Sequence, residues 1–380
     1  MGGGIAGLAA AIALRAPGRQ ITILEQSRLH GEIGATISLQ PNASRILDQE
    51  WRLGKSLDTA RGIVDQGFRI YDTSGKLVNT VPLLSKTEYG GDRIVFHRQD
   101  LHECLKQAAI SQDREGPPAL VRVASRVVEC DCEQGHVTLE SGEVLSADLI
   151  IGADGIHSCI RSFVLDEVVT PIPTGLSAYR LMIPSERLER EAPDFCSHIN
   201  PREPFISMVM AHQCRLIMGT AREGNVYSLV GLVPDEKMNE DPNSKQSWVS
   251  KGDVNKMLET YQEFPEWLKQ IFPLAEDIGL WQLRDLDPLR TWVKGRVILI
   301  GDAAHAMLPT QGQGASQSIE DAEALGAFFE GVVEVPDASE MGSMLQDVFN
   351  CRYKRASLIQ KYSRDAARPA TEKGSSEIKM

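Results

Sequence analysis

The sequence predicts an α/β protein, a doubly wound domain assembled from both ends of the chain with an antiparallel sheet inserted between them. Three observations carry this reading. A glycine turn at Gly2–Gly7 opens a helical segment. Two unbroken apolar runs, Ala147–Gly152 (ADLIIG) and Arg296–Gly301 (RVILIG), have the character of strands covered on both faces. Between them, from 175 to 234, short strand-like runs lie close to Gly and Pro, as in an antiparallel sheet.

The elements follow in order. Leu8–Arg15 is rich in alanine and leucine and suits a helix. Gln20–Glu25 carries Ile21, Ile23 and Leu24, a short buried strand. Gln99–Ile110 has helical spacing of Leu101, Cys104, Leu105 and Ala108, and Leu120–Val128 and His136–Leu139 alternate as strands. Phe205–Met210, Arg215–Met218 and Tyr227–Val233 read as strands of the inserted sheet. Lys256–Phe272 is amphipathic and predicted helical, as are Ala315–Phe329 and Met341–Tyr362. The expected partition is 1–174 for the first part of the doubly wound domain, 175–285 for the insert, 286–370 for the second part with its terminal helix, and 371–380 for a polar, flexible tail.

Composition narrows the function classes. The chain has 380 residues, enough for two domains or one large domain with a second layer. Hydrophobic residues make up 42% and charged residues 24%, an ordinary globular balance. No apolar run reaches membrane-spanning length and no basic-then-apolar leader opens the sequence, so a soluble cytoplasmic protein is expected. A net charge of −12 disfavours nucleic acid and anionic membrane as partners. Of seven cysteines the close pair is Cys130 and Cys132; C-x-C without a second pair is not zinc spacing, so no metal site is expected and the thiols are read as reduced.

Gly2-Gly3-Gly4-Ile5-Ala6-Gly7 matches G-x-G-x-x-G. Gly2 permits a tight turn, Gly4 lets backbone approach a diphosphate, and Gly7 lets helix and sheet pack closely. The helix start then offers free N–H groups to phosphate oxygens. Glu25, with Gln26 beside it, ends the next strand, where a carboxylate accepts hydrogen bonds from a ribose. The pair points to a dinucleotide. Met1 directly precedes Gly2, so the first, central strand of the sheet is expected to be missing. Two explanations stand side by side: the natural start lies upstream, or the chain as written binds its nucleotide poorly.

Two later strings sharpen the reading. A buried strand runs into Asp154-Gly155, followed by Ser158 and Arg161. A second runs into Gly301-Asp302 and continues as AAHAMLPTQGQGA to Ala315 before a helix. Asp302 can accept a hydroxyl, glycines at 312 and 314 let backbone lie against a flat ring, and the helix start stabilises negative charge there. With these motifs the chain resembles the class A FAD-dependent aromatic monooxygenases, the family of para-hydroxybenzoate and salicylate hydroxylases. The string GDAAHAMLPTQGQGASQSIEDA at 301–322 is most similar to the salicylate-hydroxylase-like branch common in fungal secondary metabolism.

The resemblance implies FAD as cofactor, NAD(P)H as cosubstrate, O2, and a small aromatic substrate under the inserted sheet. By similarity, Gly2, Gly4 and Gly7 hold the diphosphate and Glu25 the ribose. The Gly34-Ala35 turn and Arg98 make further FAD contacts, and Asp154 and Gly155 serve both FAD and NAD(P)H. Asp302, Gly314 and Ala315 line the flavin, and Pro309 lies over the ring. The implied chemistry is hydroxylation of a phenolic or aromatic-acid substrate through a hydroperoxide at flavin C4a. Arg180 stands at a substrate-contacting position, although a salt bridge at a strand edge is an equal reading. Where many relatives carry Tyr-Pro, Gly219-Thr220 stands here, and Tyr227 is the residue that could replace the lost hydroxyl. His305 is read as a structural hydrogen-bonder. Competing readings are another flavin oxidoreductase of this fold, a dehydrogenase, and a cofactor-poor paralogue without activity. None of the five tryptophans forms the W-x-W-x-I-P string of the flavin halogenases.

Overall fold

A computed structural model describes residues 1–28, 35–211, 213–237 and 250–367. The Gly34 part of the expected FAD contact and the 371–380 tail lie outside these residues. Helix α1 (Ile5–Ala13) begins at the glycine turn and buries nearly every side chain. It packs between α2 (Arg98–Ile110) and α4 (Gly314–Phe328). Strand β1 (Thr22–Leu24) pairs in parallel with β6 (Leu120–Arg122), and β7 (Ile150–Gly152) with β13 (Val297–Leu299). Both β7 and β13 run straight towards glycine loops, at Asp154-Gly155 and Gly301-Asp302. Short helix α3 (Ile160–Leu165) follows the first loop.

The two parallel pairs are not left without a shared neighbour. The Gly2 amide donates to Leu24 O at 2.8 Å, the Met1 amine to Ile151 O at 2.6 Å, and Ala153 N donates back to Met1 O at 2.8 Å. Met1 and Gly2 thus bond to both sides of the position where the sequence predicts a missing strand. Among the described residues no assigned strand precedes Gly2.

The second layer is an eight-stranded sheet. Its core is β8 (Ile172–Pro184), β9 (Phe205–Ala211), β10 (Cys214–Ala221), β11 (Val226–Pro234) and β12 (Ile278–Asp285), paired antiparallel as β12-β8-β11-β10-β9. Ser250–Lys251 adds one edge. The other edge comes from β3 (Gly67–Tyr71) and β4 (Leu77–Pro82), with β3 parallel to β9. The expected boundary at 174 and 175 does not anticipate these two strands, because the partner of β3 lies far along the chain.

Side-chain alternation gives this sheet two different faces. Tyr179, Leu181, Ile183, Val209, Leu216, Met218, Tyr227 and Leu229 are at most 1% exposed and pack under short helices through Leu188, Phe195, Met257 and Leu268. Burial of such side chains contributes roughly 1.5–3 kcal/mol each, so this face holds the layer together. On the other face Ile206, Met208, Ile217, Val230, Met182 and Trp281 are only half-buried. That face looks towards the doubly wound domain: Leu308, from the loop after Asp302, packs with Ala178, Leu232 and Val230.

Two predicted elements are broken. The helix expected over 256–272 is Val254–Thr260 followed by Glu266–Lys269, because Pro265 takes extended backbone and has no N–H to donate. The strand expected over 120–128 divides at Ala124, whose φ is +50°. The final helix, α5 (Ala338–Ala367), is longer than the predicted one at both ends.

Candidate active site

Two glycines of the turn are there for contact and one for space. A Cβ on Gly2 would come 2.2 Å from Ala153 O, and one on Gly7 would come 1.9 Å from Gly2 O. A Cβ on Gly4 would meet nothing within 4 Å. Gly4 is the N-cap of α1, which has no side-chain cap and no acid in its first turn, so its leading N–H groups stay available to an anion. Glu25 lies beside this opening. Its Oε2 accepts Gly3 N at 2.7 Å and its Oε1 accepts Ser27 N at 2.7 Å, while Gln26 is exposed. His102 of α2, whose Nε2 is 2.6 Å from Gly3 O, steadies the turn from below. Sequence reasoning missed it; the available signal was a histidine on the apolar face of α2.

The Asp154 carboxylate starts α3. It accepts Ser158 Oγ at 2.5 Å, Cys159 N at 2.8 Å and Ile160 N at 3.2 Å. Any nucleotide contact it makes must use the lone pairs that remain. Gly155 follows at φ +78° with no atom near its Cβ position. Buried Arg161 donates to Ile156 O at 2.5 Å and Ala303 O at 3.1 Å, joining the Asp154 turn to the Asp302 loop.

Gly301 turns at φ +58°, and a Cβ there would crowd Ser318 and Ala6. Its amide donates to Asp321 Oδ2 at 2.9 Å, which also lies 2.6 Å from His305 Nε2. Asp302 is exposed at the start of this loop. Desolvation raises its pKa, opposed by His305, Arg98 and Arg161. Pro309 is exposed and begins a single turn ending at Gly312, where a Cβ would come 2.8 Å from Ser38 Oγ on β2 (Thr36–Leu39). Gly314 and Ala315 open the 15-residue α4, again with no side-chain cap and no acid in the first turn, and nothing lies within 4 Å of a Cβ on Gly314.

Arg98 begins α2, its amide donating to Ala35 O at 2.8 Å. It lies close enough to Asp302 and Arg180 to act on the titration of both. Arg180 projects from β8 on the half-buried face of the sheet. Its cross-strand partner is Gly279, and a Cβ there would strike the Trp281 ring at 2.3 Å. Gly279 therefore makes room for Trp281, and the Arg180 guanidinium rests over that ring, 4.6 Å from its centroid. Arg180 Nε is buried without a hydrogen-bond partner, and among the described residues no carboxylate pairs with the guanidinium. Burial, then Arg98, push its pKa down to about 10. Among the described residues, then, Arg180 makes no salt bridge at the strand edge.

Tyr227 does not join this group. It pairs with Ile183 on the opposite, fully buried face and packs edge-on to Phe195, centroids 5.6 Å apart. Its hydroxyl is near Ser207 without a hydrogen bond of good geometry. A pocket role for Tyr227 is corrected accordingly; on the face shared with Arg180 the neighbouring hydroxyl is Ser228, whose Oγ accepts Thr36 Oγ1 at 3.1 Å.

Glu25 thus bonds the glycine turn, Gly301 packs against Ala6 of α1, and Arg98 lies near both Asp302 and Arg180. The family profile described as FAD binding domain matches residues 1–334. Hispidin-3-hydroxylase of Neonothopanus nambi is 35% identical over 340 residues, covering 86% of this chain and 79% of that protein. The chain belongs to the FAD-dependent aromatic monooxygenases. This monooxygenase is also 30% identical to 3-hydroxybenzoate 6-hydroxylase 1 of Aquipseudomonas alcaligenes, over 96% of this chain and 87% of that one. Its fold superimposes on a salicylate hydroxylase in complex with substrate with a TM-score of 0.77 at 27% identity, covering 99% and 90% of the two chains. The cradle of the monooxygenase fits FAD: two uncapped helix starts have open space at Gly4 and Gly314, and the exposed Asp302 carboxylate begins the loop that leads to Gly314. No helix among the described residues is long and apolar enough to cross a membrane.

Proposed function

We propose that this monooxygenase hydroxylates an aromatic ring bearing an ionisable hydroxyl or carboxyl group, using NAD(P)H and O2, and that Arg180 binds that group. One observation carries the proposal. Arg180 is a half-buried cation on the inner face of the sheet, stacked on Trp281, with its Nε buried and no carboxylate partner among the described residues. A buried charge left unpaired is costly, and an anionic substrate would offset that cost. The half-buried apolar face formed by Met182, Met208, Ile217 and Val230 suits the ring itself. The named activity of one relative on 3-hydroxybenzoate, a ring with both a hydroxyl and a carboxyl group, supports the same class.

In this reading Gly2, Gly4 and Gly7 with the α1 start hold the FAD diphosphate, and Glu25 the ribose. Arg98, Asp302, Gly314 and Ala315 hold the inner part, with Ala35, Asp154 and Gly155 at the margins. When bound, FAD supplies electron transfer from NAD(P)H and activation of O2. The protein's own residues do the rest. Arg180 orients the substrate and favours its anionic form, which enriches the ring in electrons. Pro309 and Leu308 close the cavity on the loop side, and the apolar sheet face excludes water. A cytoplasmic location belongs to this proposal, since NAD(P)H is supplied there.

The test is NAD(P)H oxidation by FAD-loaded protein against a panel of phenolic acids, counting product and hydrogen peroxide separately. Substrate-dependent product formation from an anionic aromatic is the expected result. Equal activity on neutral, unsubstituted rings would remove Arg180 from the proposal.

A further inference from the structure

Helix α5 changes character along its buried stripe. Met341, Leu345, Val348 and Phe349 are apolar; further on, buried Gln360 and Ser363 take their places. Polar side chains are expensive in such positions unless they answer buried polar groups. Gln360 answers two. Its Nε2 donates to Leu286 O and to Ala306 O, both at 3.1 Å. Both partners are carbonyl oxygens, so the amide must present its NH2 here, and Oε1 is left buried without a partner.

One carbonyl belongs to the large sheet and the other to the loop that faces it. Leu286 follows β12, the strand that carries Trp281 and lies beside Arg180. Ala306 opens the loop that contains Leu308 and Pro309. Ala306 O also accepts Leu286 N at 3.2 Å, so sheet and loop meet at this point. Neighbouring turns of α5 repeat the arrangement. Arg364 donates to Leu286 O at 2.7 Å and pairs with Asp285 and Asp287, while Thr310 Oγ1 donates to Ser363 O at 2.5 Å. The segment 306–310 is therefore held to α5 on both sides of Pro309.

We propose that Gln360 is a positioning residue that fixes the separation between the Pro309 loop and the sheet, and thereby the coupling of NAD(P)H oxidation to hydroxylation. This rests on the reading of that loop as the flavin-facing wall. In the coupled reaction NAD(P)H, a proton, O2 and the aromatic C–H compound give NAD(P)+, water and the hydroxylated ring. In the uncoupled reaction NAD(P)H, a proton and O2 give NAD(P)+ and hydrogen peroxide. Both consume the same electrons, and they differ in whether the ring is held where an oxygen atom can reach it. Gln360 touches neither substrate nor cofactor; it sets the gap into which the ring must fit.

The experiment compares FAD-loaded wild type, Gln360→Met and Thr310→Val. Methionine keeps the length of the side chain and removes both N–H donors. Product and hydrogen peroxide are measured per NAD(P)H consumed at saturating substrate, with the flavin absorption spectrum and the anaerobic rate of flavin reduction as controls. The expected result is at least a threefold fall in product per NAD(P)H for Gln360→Met and a smaller fall for Thr310→Val. Peroxide should make up the difference, and flavin reduction should stay within twofold of wild type. Wild-type coupling in the folded, yellow variants overturns the proposal. Should Gln360→Met not fold, Thr310→Val decides the matter alone. A wild type that makes no product from any aromatic would instead overturn the functional reading itself.

Discussion

His305 Nε2 lies 2.6 Å from Asp321 Oδ2, and both side chains are about 1% exposed. The same oxygen receives the Gly301 amide, and Asp321 Oδ1 receives Arg352 Nε at 2.9 Å. One carboxylate thus ties the last helix to the turn that presents Asp302. Burial alone would raise the pKa of Asp321; His305, Arg352 and the Gly301 amide outweigh it and bring the value to about 2. D321N should cost about 3–5 kcal/mol, as removal of one partner from a buried ion pair does. Its stabilising contribution is complete above an unfolded-state pKa of about 3.9 and is lost as pH falls towards 2. Thermal unfolding of wild type and D321N from pH 6 to pH 3 checks this. The gap between the two should narrow as the solution becomes more acid.

Arg180→Ala should raise the dissociation constant of an anionic aromatic by roughly ten- to a hundredfold, the worth of a charge-assisted hydrogen bond of about 1.5–3 kcal/mol. FAD affinity should be almost unchanged. Arg180→Lys should recover part of the loss, since it restores charge but not the flat contact with Trp281. Perturbation of the flavin spectrum by added substrate reports all three values.

Gly4 and Gly7 should respond differently to the same added methyl group. A Cβ at Gly7 collides with main chain at 1.9 Å, so Gly7→Ala should lower Tm or prevent folding. Gly4→Ala meets no protein atom within 4 Å and should fold normally. The methyl group would stand in the FAD cradle and weaken FAD binding by about tenfold, or ~1.4 kcal/mol. Apoprotein melting curves and FAD titration by fluorescence separate the outcomes. Equal FAD affinity in wild type and Gly4→Ala would mean that the diphosphate does not lie there.

Tyr227→Phe should leave turnover and coupling unchanged. The hydroxyl it removes is buried on the helix-covered face without a hydrogen-bond partner, so Tm should rise slightly or stay the same. A large loss of hydroxylation would contradict the assignment of faces in the sheet.

Much of the cradle was legible because its requirements are local. Gly7 admits no side chain because a Cβ would strike Gly2 O five residues away, Gly2 itself turns at φ +95°, and the apolar strands before Asp154 and Gly301 announce themselves in a handful of letters. The face on which a side chain lies was not legible in the same way. Tyr227 and Arg180 sit on neighbouring strands, but which of them looks into the cavity depends on cross-strand register, and one residue of slip reverses the answer. Strand 67–71 joins the large sheet through a partner that begins at Phe205, a pairing no local pattern marks, whereas 77–82 pairs with 67–71 as a hairpin across Asp72–Lys76. Apolar spacing over 256–272 fits one helix, but Pro265 has no N–H to donate and takes extended backbone, which divides it. His102, Asp321 and Gln360 act on main-chain atoms far away in sequence, and isolated polar residues on apolar helix faces were the trace they left.

The unequal faces of the large sheet separate two kinds of inheritance. Changes at Met182, Met208, Ile217 or Val230 alter the shape offered to a ligand while leaving the helix-covered side untouched. Descendants of this chain can therefore drift towards new aromatic compounds without first acquiring extra stability, and diversification should concentrate on alternate positions of β8 to β11.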